Sequence, residues 1–387
     1  MKKNVDAKIF WLCVFLGIIL RFVLMFIGHK YFHSLDFANY CTIGQLFTDG
    51  KSVYAGTDKY NYAPLWFILL GTLWRASAFF SDHILAFRIL LVGVLTLMDI
   101  LIALIISRRA GNFWGLIFFF NPISLVVTGM HNQFDNIAVV LAACGVLCIE
   151  DSSSQHSIKA SDILGIIFLS LSLIAKHIMW AFPLWILLSS EIDARKKILY
   201  AFIPPLIFLL SFVPSWSEGA EGIMRNVFMY KSGNNFPLFG LGIMNGFGIS
   251  TSFQNIAGLP LFGLLIGICG YIFRHEKIFN MFLIYTVAQV CFASGIASQY
   301  FVIPCMAVIL LFRRKSALYF VVSIALIFAC YGSTRIPLWL DEHFGLGINS
   351  ISLWARSNIM YTASVWCLLL YLVYYYFRLR RKDQRVL

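Results

Sequence analysis

One aspartate beside an apolar run is the residue of this chain best suited by position to accept a proton. Asp36 lies in HSLDFANY, a few residues after the first long apolar run. A carboxylate near a lipid surface is partly desolvated, which raises its pKa toward the range that a general base needs. The alternative is structural, because an aspartate here can cap a short interfacial helix through residues 38–47. Position alone leaves both interpretations open.

A compact polar motif stands between two apolar stretches in VVTGMHNQFDNIAVVL. Its polar residues are His131, Asn132, Gln133, Asp135 and Asn136. A central Asp costs about 2.5–3.5 kcal/mol on membrane-insertion scales, so polar groups in such a setting need partners. The motif therefore predicts a satisfied polar pocket or an interfacial loop, and an ordinary solvated turn is the alternative.

Three more polar residues interrupt apolar runs. Lys176 and His177 lie in LSLIAKHIMWAFPLW, where a proline follows, and Asp99 lies in LMDILIAL. Lys176 with His177 favours a broken helix that lines a cavity over a snorkelling lysine. Asp99 is either functional or held by a structural hydrogen bond, with Arg88 and Lys176 as the expected partners.

The remaining candidates lie in polar stretches or at the start of apolar runs. Cations on the extracytoplasmic side run against the usual bias of basic residues toward the cytoplasm, so they suggest an anionic partner such as a lipid phosphate. Loose surface charge is the alternative for each cation, and an interfacial anchor is the alternative for the tyrosine in NYAPLW. These candidates are Tyr62, Arg225, Lys231, Gln299, Tyr300, Arg335 and Arg356.

The elements that position these residues must be membrane helices. Hydrophobic residues make up 60% of the 387 positions and charged residues 12%, with a mean hydropathy of +0.81. Soluble domains carry about 25% charged residues. The net charge of +12 is spread over short clusters between apolar runs, which is typical of cytoplasmic loops and argues against nucleic-acid binding.

The pattern predicts an all-α polytopic membrane protein with roughly 11 to 13 transmembrane helices. The first run is long enough to span, so we interpret it as a membrane helix and not as a signal peptide. The chain forms a single membrane domain, 1–387, in which the long run 161–189 is broken near Lys176 or Pro183. The predicted spans are 8–28, 62–80, 84–107, 111–129, 134–149, 161–189, 198–215, 255–273, 278–293, 300–312, 316–334 and 357–377.

Three stretches are too polar to span and too long to be simple turns: 29–61, 216–254 and 335–356. With the N-terminus inside, the basic clusters place all three outside, where their convergence predicts an extracytoplasmic site. Arg108 and Arg109 break this scheme, because counting crossings from the first loop places them outside. Sequence alone leaves the side of this pair, and of 131–136, open.

These segments, in this order, resemble the GT-C fold glycosyltransferases that use a polyprenyl-phosphate sugar, in particular the dolichyl-phosphate-glucose glucosyltransferases of asparagine-linked glycosylation. Asp36 matches an Asp in the family's first lumenal loop, and NYAPLW matches a Tyr-Pro-Pro-Leu-like motif, with Ala63 in place of the first Pro. Arg88 and Asp99 match an Arg followed by an intramembrane Asp. GMHNQFDN matches a Gly-His-Phe-Gln-Tyr-Asn-like motif.

Lys176 with His177 matches the Lys-Gln pair of the family's next apolar run. The resemblance covers 1–190, which corresponds to the GT-C module with its loop helices, whereas 191–387 is a variable helical part. There the family's histidine-rich loop motif is missing. SQYFVIP resembles a segment of bacterial polyprenyl-phosphate mannosyltransferases.

The resemblance implies an inverting hexosyltransferase that moves a sugar from a polyprenyl-phosphate donor to a lipid-linked or cell-surface glycan, with Asp36 as general base. Cations would stabilise the departing phosphate, assisted by Gln299 and Tyr300, and no metal or other cofactor is expected. A multi-pass protein of a bacterial inner membrane, using undecaprenyl phosphate, is favoured over one of the ER. The remaining matched residues would bind donor or acceptor: Tyr62, Asp99, His131, Gln133, Asp135, Asn136, Lys176 and His177.

A transporter or lipid flippase is the alternative from another functional class. Such proteins often show paired repeats with Gly- or Pro-broken helices in both halves. No repeat is visible in this sequence, and the first loop is longer than a transporter needs. A membrane scaffold is a third interpretation, but it gives no reason for Asp36, Asp99 and Lys176.

Overall fold

The computed structural model describes residues 5–31, 34–150, 157–230, 237–239, 252–332 and 350–383. These residues are predominantly helical and contain no β-strand, which confirms the all-α prediction for the described chain. They divide into two compact units. Unit 1 comprises 1–120, 124–231 and 275–279, and unit 2 comprises 121–123, 232–274 and 280–387.

The first part of the chain supplies twelve numbered α-helices, two π-helices and two 3₁₀ turns. They are α1 (Ala7–Tyr31), α2 (Leu35–Thr48), α3 (Val53–Gly56), α4 (Pro64–Ser77), α5 (His83–Ala110), α6 (Asn112–Phe119), α7 (Pro122–Leu125) with the π-helix Val126–His131, α8 (Asp135–Glu150), α9 (Ala160–Ala175), the 3₁₀ turn His177–Met179, α10 (Phe182–Leu188), α11 (Ala194–Leu210), the 3₁₀ turn Val213–Ser215, and α12 (Trp216–Gly222) with the π-helix Ile223–Phe228.

The described elements that follow begin at residue 237. They are the 3₁₀ turn Pro237–Phe239, α13 (Ser252–Ile272), α14 (Ile278–Phe292), the 3₁₀ helix Ser298–Val302, α15 (Cys305–Ala307) with the π-helix Val308–Phe312, the 3₁₀ turn Arg313–Lys315, α16 (Ser316–Gly332) and α17 (Ser350–Asp383).

Four stretches of the described chain are long and apolar enough to cross a membrane: Ala7–Tyr31, His83–Ala110, Ala194–Phe228 and Asn358–Arg381. The number rises to six if each of two bent helix pairs counts as one span. This supports a multi-pass membrane protein, but it falls short of the predicted 11 to 13 helices. Several apolar runs form helices of only 10–17 residues, which are shorter than the roughly 20 residues of a full span.

The long run 161–189 is broken at Lys176, which is one of the two positions predicted for the break. Lys176 has an extended backbone (φ −154°, ψ 120°), and the helices on either side meet at 114°. Pro183 lies in the first turn of α10, where the missing amide proton costs no intrahelical hydrogen bond. The break therefore places the Lys176 side chain at the end of α9.

A serine, and not Asp36, caps the helix of the first polar stretch. The Ser34 side chain accepts a hydrogen bond from the Phe37 amide at 3.3 Å, and α2 starts at Leu35. The predicted interfacial helix is present, but the predicted capping role of Asp36 is wrong. Asp36 lies in the first turn, so its side chain is available for contacts outside its own helix.

At one end of unit 1, called the basic end, the segment just before α1 contacts the start of α6. The Asn112 side-chain amide donates to the Val5 carbonyl at 2.9 Å, and Arg109 pairs with Glu150 at the end of α8. Arg108 and Arg109 therefore lie at the same end as the start of α1. Crossing counts from the sequence had placed them at the opposite end, and the structure corrects this.

Two further contacts place later basic clusters at the basic end. Lys196 pairs with Asp162 at 2.8 Å in the first turn of α9, which packs antiparallel against α8. Ser190 and His275 lie 2.9 Å apart. The clusters 195–197 and 274–277 thus share this end with the start of α1, in agreement with the charge pattern of the sequence.

The opposite end, called the carboxylate end, holds α2 and also α4. Tyr62, just before α4, has its ring 4.8 Å from Phe134, whereas Trp74 near the end of α4 has its ring 5.1 Å from Phe87. Phe87 in turn contacts Phe37 of α2, with ring centroids 5.8 Å apart. Both ends of α4 therefore stay near α2, and the predicted span 62–80 is wrong.

The length of α4 agrees with this placement. Its 14 residues extend about 21 Å, against a hydrocarbon core of about 30 Å. Removing this crossing from the count brings Arg108 and Arg109 to the basic end. It also places the motif 131–136, which follows α6 and α7, at the carboxylate end.

The first two polar stretches meet within unit 1 through a close backbone contact. α12 packs on α3, where a Cβ at Gly222 would overlap the carbonyl oxygen of Tyr54 and lie 2.8 Å from its carbonyl carbon. The convergence predicted from sequence is thus present for these two stretches. The third stretch, 335–356, falls mostly outside the described residues.

We expect Gly222→Ala to destabilise the protein by about 1–3 kcal/mol, because backbone atoms of Tyr54 cannot move aside as a flexible side chain would. Gly93→Ala in α5 is the matched control, since no heavy atom lies within 4 Å of its added Cβ. That control gains about 0.5–1 kcal/mol from helix propensity. Thermal unfolding in detergent measures both, and equal midpoints for the two variants would contradict this contact.

Candidate functional site

The two carboxylate oxygens of Asp36 differ in their contacts with the described residues. The Gln133 side-chain amide donates to Oδ2 at 2.7 Å, and His131 Nε2 lies 3.2 Å from the same oxygen. Among the described residues, none donates a hydrogen bond to Oδ1, and 44% of the side chain is exposed. The structure therefore joins Asp36 to two residues of the polar motif and leaves its side chain partly exposed.

The backbone of the polar motif is fixed by Asn132 and Arg88. Asn132 adopts a left-handed conformation (φ 61°, ψ 38°) where the π-helix ends, a region that Asn tolerates better than most residues. Arg88 donates to the Asn132 side-chain oxygen at 2.8 Å and to the Met130 carbonyl at 2.9 Å. These bonds orient His131 and Gln133 toward Asp36.

Phe134 anchors the centre of the motif in an aromatic cluster. Its ring stacks on Trp66 with centroids 3.8 Å apart and an interplanar angle of 11°, and Tyr62 packs edge-on at 4.8 Å. All three rings belong to, or pack against, the hydrophobic core at the carboxylate end. Because Phe134 lies between Gln133 and Asp135, this packing directs the two side chains to different partners. Gln133 binds Asp36, and Asp135 binds Lys176.

Asp135 forms a buried ion pair with Lys176. The Lys176 ammonium lies 2.9 Å from Asp135 Oδ1, and both side chains are almost fully buried. The same ammonium lies 4.6 Å from the centroid of the Phe134 ring and 5.5 Å from that of Tyr62. The break at the end of α9 thus delivers a fixed positive charge to the motif.

The surroundings of Asp36 lower its pKa, contrary to the prediction from its position. Burial raises the pKa, as expected, but four other effects outweigh it. They are the hydrogen bond and charge of His131, the charge of Lys176 and the hydrogen bond from Gln133. Because partners of the charged form dominate, Asp36 is a carboxylate at neutral pH.

Asp99 and Asn136 belong to a second, fully buried network. Arg21 of α1 binds Asp99 Oδ2 through two nitrogens at 3.0 and 3.1 Å. Ser124 and Thr128 donate to the same oxygen at 2.9 and 2.8 Å, and Asn136 donates to Oδ1. The partner of Asp99 is thus Arg21, and the expected partners Arg88 and Lys176 are wrong.

Asp99 and its four partners are all buried, and the proposed contact of Asp99 with donor or acceptor stays a prediction. Asn136 links this network to the motif, since it follows Asp135 directly. The Arg21 side chain was missed by sequence reasoning, although an arginine inside the apolar run 8–28 is a signal that could have found it. Phe134 was also missed, and an aromatic residue inside a polar motif carries no comparable signal.

Three further candidates, His177, Arg225 and Tyr230, differ in their burial and in their contacts. The His177 ring lies 6.2 Å from Phe208, and its buried Nδ1 has no hydrogen-bond partner among the described residues. Arg225 is 59% exposed and lies 3.8 Å from Glu221. Burial raises the pKa of Tyr230, and the charge of Asp36 adds to this effect.

The other predicted residues belong to unit 2 or lie outside the described residues. Gln299 and Tyr300 lie half-buried in the 3₁₀ helix Ser298–Val302 of unit 2. Lys231 and Arg335 lie outside the described residues, as does the side chain of Arg356. Their proposed contacts with a phosphate stay predictions.

The arrangement suits proton acceptance by a carboxylate at a membrane boundary. Asp36 supplies an ionised oxygen, Gln133 and His131 fix its orientation, and Lys176 supplies a nearby positive charge. Within the part of the chain that the structure describes, no three His, Cys, Asp or Glu side chains come close enough to hold a metal ion.

Comparisons with known proteins add no family assignment. No model of a known protein family matches the chain, and no curated protein matches it significantly. The residues and their geometry therefore carry the functional argument.

Proposed function

We propose that this protein is an inverting glycosyltransferase that moves a hexose from a polyprenyl-phosphate donor to a hydroxyl of a lipid-linked or cell-surface glycan. The observation that carries the proposal is the Asp36 carboxylate: Gln133 donates to Oδ2 at 2.7 Å, and no described residue donates to Oδ1. The motif resemblance supplies the substrate class. The geometry supports the role of one residue, the general base.

In the proposed reaction, the acceptor hydroxyl attacks the anomeric carbon as the bond from that carbon to the phosphate oxygen breaks. Asp36 Oδ1 takes the hydroxyl proton, and the electron pair of the broken bond stays on the polyprenyl phosphate. A carboxylate of low pKa is a weak base toward a neutral alcohol. It becomes effective as the new bond forms, because the hydroxyl then becomes strongly acidic.

Lys176 takes a different role in this proposal from the phosphate contact suggested by sequence. It is buried against Asp135, so it acts as a fixed charge that keeps Asp36 ionised. Arg225 is exposed, and we keep it as a candidate for the contact with the departing phosphate. Lys231, Arg335 and Arg356 stay candidates for the same contact.

The extracytoplasmic side is proposed from charge. Basic residues at 108–109, 195–197 and 274–277 share one end of unit 1, and Asp36 lies at the other. Basic loops favour the cytoplasm. A donor sugar that faces outward would then meet acceptors of the cell envelope, which agrees with a bacterial inner membrane and undecaprenyl phosphate as carrier.

The test is transfer by the purified full chain in lipid vesicles. Labelled hexose on polyprenyl phosphate is supplied with a membrane glycan extract, and the product is analysed for a new glycosidic bond of inverted anomeric configuration. A product of retained configuration, or no product with any polyprenyl-phosphate hexose against extracts from several envelopes, would refute the proposal.

A transporter or flippase is the rival supported by one observation, the 114° break between α9 and α10. Broken helices line the binding sites of many transporters. The same vesicles separate the two functions: a flippase moves labelled donor between leaflets with its sugar–phosphate bond intact, whereas a glycosyltransferase consumes that bond.

We expect His131→Phe to move the acid limb of the pH–rate profile to higher pH. In the wild type the pKa of Asp36 lies below its ordinary value of 3.8, so its carboxylate stays charged down to that region. Removing His131 removes its hydrogen bond and charge while burial still raises the pKa. Protonation of Asp36, and loss of activity, then begin at higher pH.

The measurement is kcat/KM against pH, with His275→Phe at the basic end as control. A limb that stays in place in His131→Phe, or moves to lower pH, would show that His131 does not set the ionisation of the catalytic group. The His275→Phe profile is expected to match the wild type.

A further inference from the structure

A groove in unit 2 combines apolar walls with a cationic rim. It encloses about 420 Å³ between the starting turns of α16 and the later half of α17. Its apolar lining includes Ala317, Leu318, Cys367 and Leu370, and Lys315 and Tyr374 lie at its polar edge. Such a combination suits an amphiphile better than a water-soluble molecule.

The rim is held in place by contacts of unit 2. The Lys315 ammonium lies 3.7 Å from the centroid of the Tyr374 ring, which orients the charge over the groove. Arg378 donates to the Leu311 carbonyl at 3.3 Å, one turn of α17 beyond Tyr374. A lipid phosphate at this point would meet both cations.

The two sequence segments next to the groove are strongly basic. The segments 313–315 and 378–382 contain seven Arg or Lys residues, and 313–340 and 344–382 contain no Asp or Glu. A basic cluster of this size beside a membrane helix attracts anionic headgroups, and each cation near the surface contributes about 1 kcal/mol.

The walls open toward lipid. Leu318 and Leu370 are more than half exposed, although both line the groove. The groove also lies near the end of Asn358–Arg381, a helix long enough to span, and we expect the end of such a helix to lie near the headgroups. Acyl chains can therefore extend along the walls without leaving the bilayer.

We propose that this groove binds an anionic glycerophospholipid, with its phosphate at Lys315 and Arg378 and an acyl chain along Leu318 and Leu370. Charge complementarity selects the headgroup, and the apolar walls distinguish a bound lipid from a general surface attraction. The proposal does not use Asp36 or any residue of the proposed reaction, so either can fail alone.

The test is native mass spectrometry of the full chain from mild detergent, titrated with phosphatidylglycerol or phosphatidylcholine. We expect the wild type to retain phosphatidylglycerol with a Kd at least about tenfold lower than that for phosphatidylcholine. Lys315→Gln with Arg378→Gln and Arg381→Gln should remove that preference. Ala317→Phe, which fills the groove and keeps the charges, should weaken retention of phosphatidylglycerol.

A matched control separates the groove from generic basic attraction. Lys8→Gln with Arg195→Gln and Lys197→Gln removes the same charge from the basic end of unit 1, and retention should stay at the wild-type value. Equal loss in this control, equal binding of both lipids, or undiminished binding by Ala317→Phe would each overturn the proposal. A cooperative unfolding transition for every variant shows that the comparison is between folded proteins.

Discussion

Asp36→Asn is expected to lower the rate of hexose transfer by about 10²–10⁴-fold, the contribution of a general base. An asparagine keeps the shape of the side chain and can still accept a hydrogen bond from Gln133, but it cannot take a proton. The donor and acceptor contacts are unchanged, so the loss should fall on kcat more than on KM. Initial rates with labelled donor measure both.

Asp58→Asn is the control for this prediction. Asp58 lies in the same polar stretch, is 63% exposed and pairs weakly with Lys59 at 3.5 Å. Its rate should stay near the wild type. Transfer at the wild-type rate by a folded Asp36→Asn variant would exclude Asp36 as the base, whatever reaction the protein performs.

Arg21→Met is expected to destabilise the protein by about 3–5 kcal/mol, the usual cost of removing one partner of a buried ion pair. Asp99 would keep its three neutral donors but lose the charge that balances it. Both side chains of the pair are fully buried, so water cannot replace the guanidinium. Unfolding in mixed micelles measures the free-energy change.

Two further variants test the interpretation of that result. Arg108→Met removes an exposed arginine from α5 and should change the stability little. Arg21→Met with Asp99→Leu removes both charges and should be less destabilised than the sum of the single changes. Additive effects of the two single variants would show that the pair is not coupled.

Several elements of the fold and site follow from sequence for identifiable reasons. Long apolar runs predict α1 and α5 because only helices satisfy the backbone in lipid. A lysine and a proline inside 161–189 predict a broken helix, which the structure has at Lys176. The polar motif 131–136 predicts a satisfied cluster, and two of its side chains do bind Asp36.

What sequence could not predict depends on contacts between distant elements. The pairing of Arg21 with Asp99 joins two helices whose relative rotation is set by packing, and residue type favoured Arg88 or Lys176 equally well. The pKa of Asp36 depends on the positions of three partners, whereas burial alone predicts the wrong direction. The placement of α4 requires knowing that both its ends contact neighbours of α2, which hydropathy does not report.

The placement of α4 has a consequence for access. Leu35 beside Asp36 is 84% exposed, and Phe79 just after α4 is 91% exposed, so large apolar side chains are exposed at the carboxylate end. We expect such side chains to enter the lipid interface, which would keep the Asp36 carboxylate close to the bilayer surface. If Asp36 is the base, water-soluble sugars are poor acceptors, because they do not concentrate at the bilayer surface. Glycans anchored to lipids of the same leaflet are then the favoured acceptors.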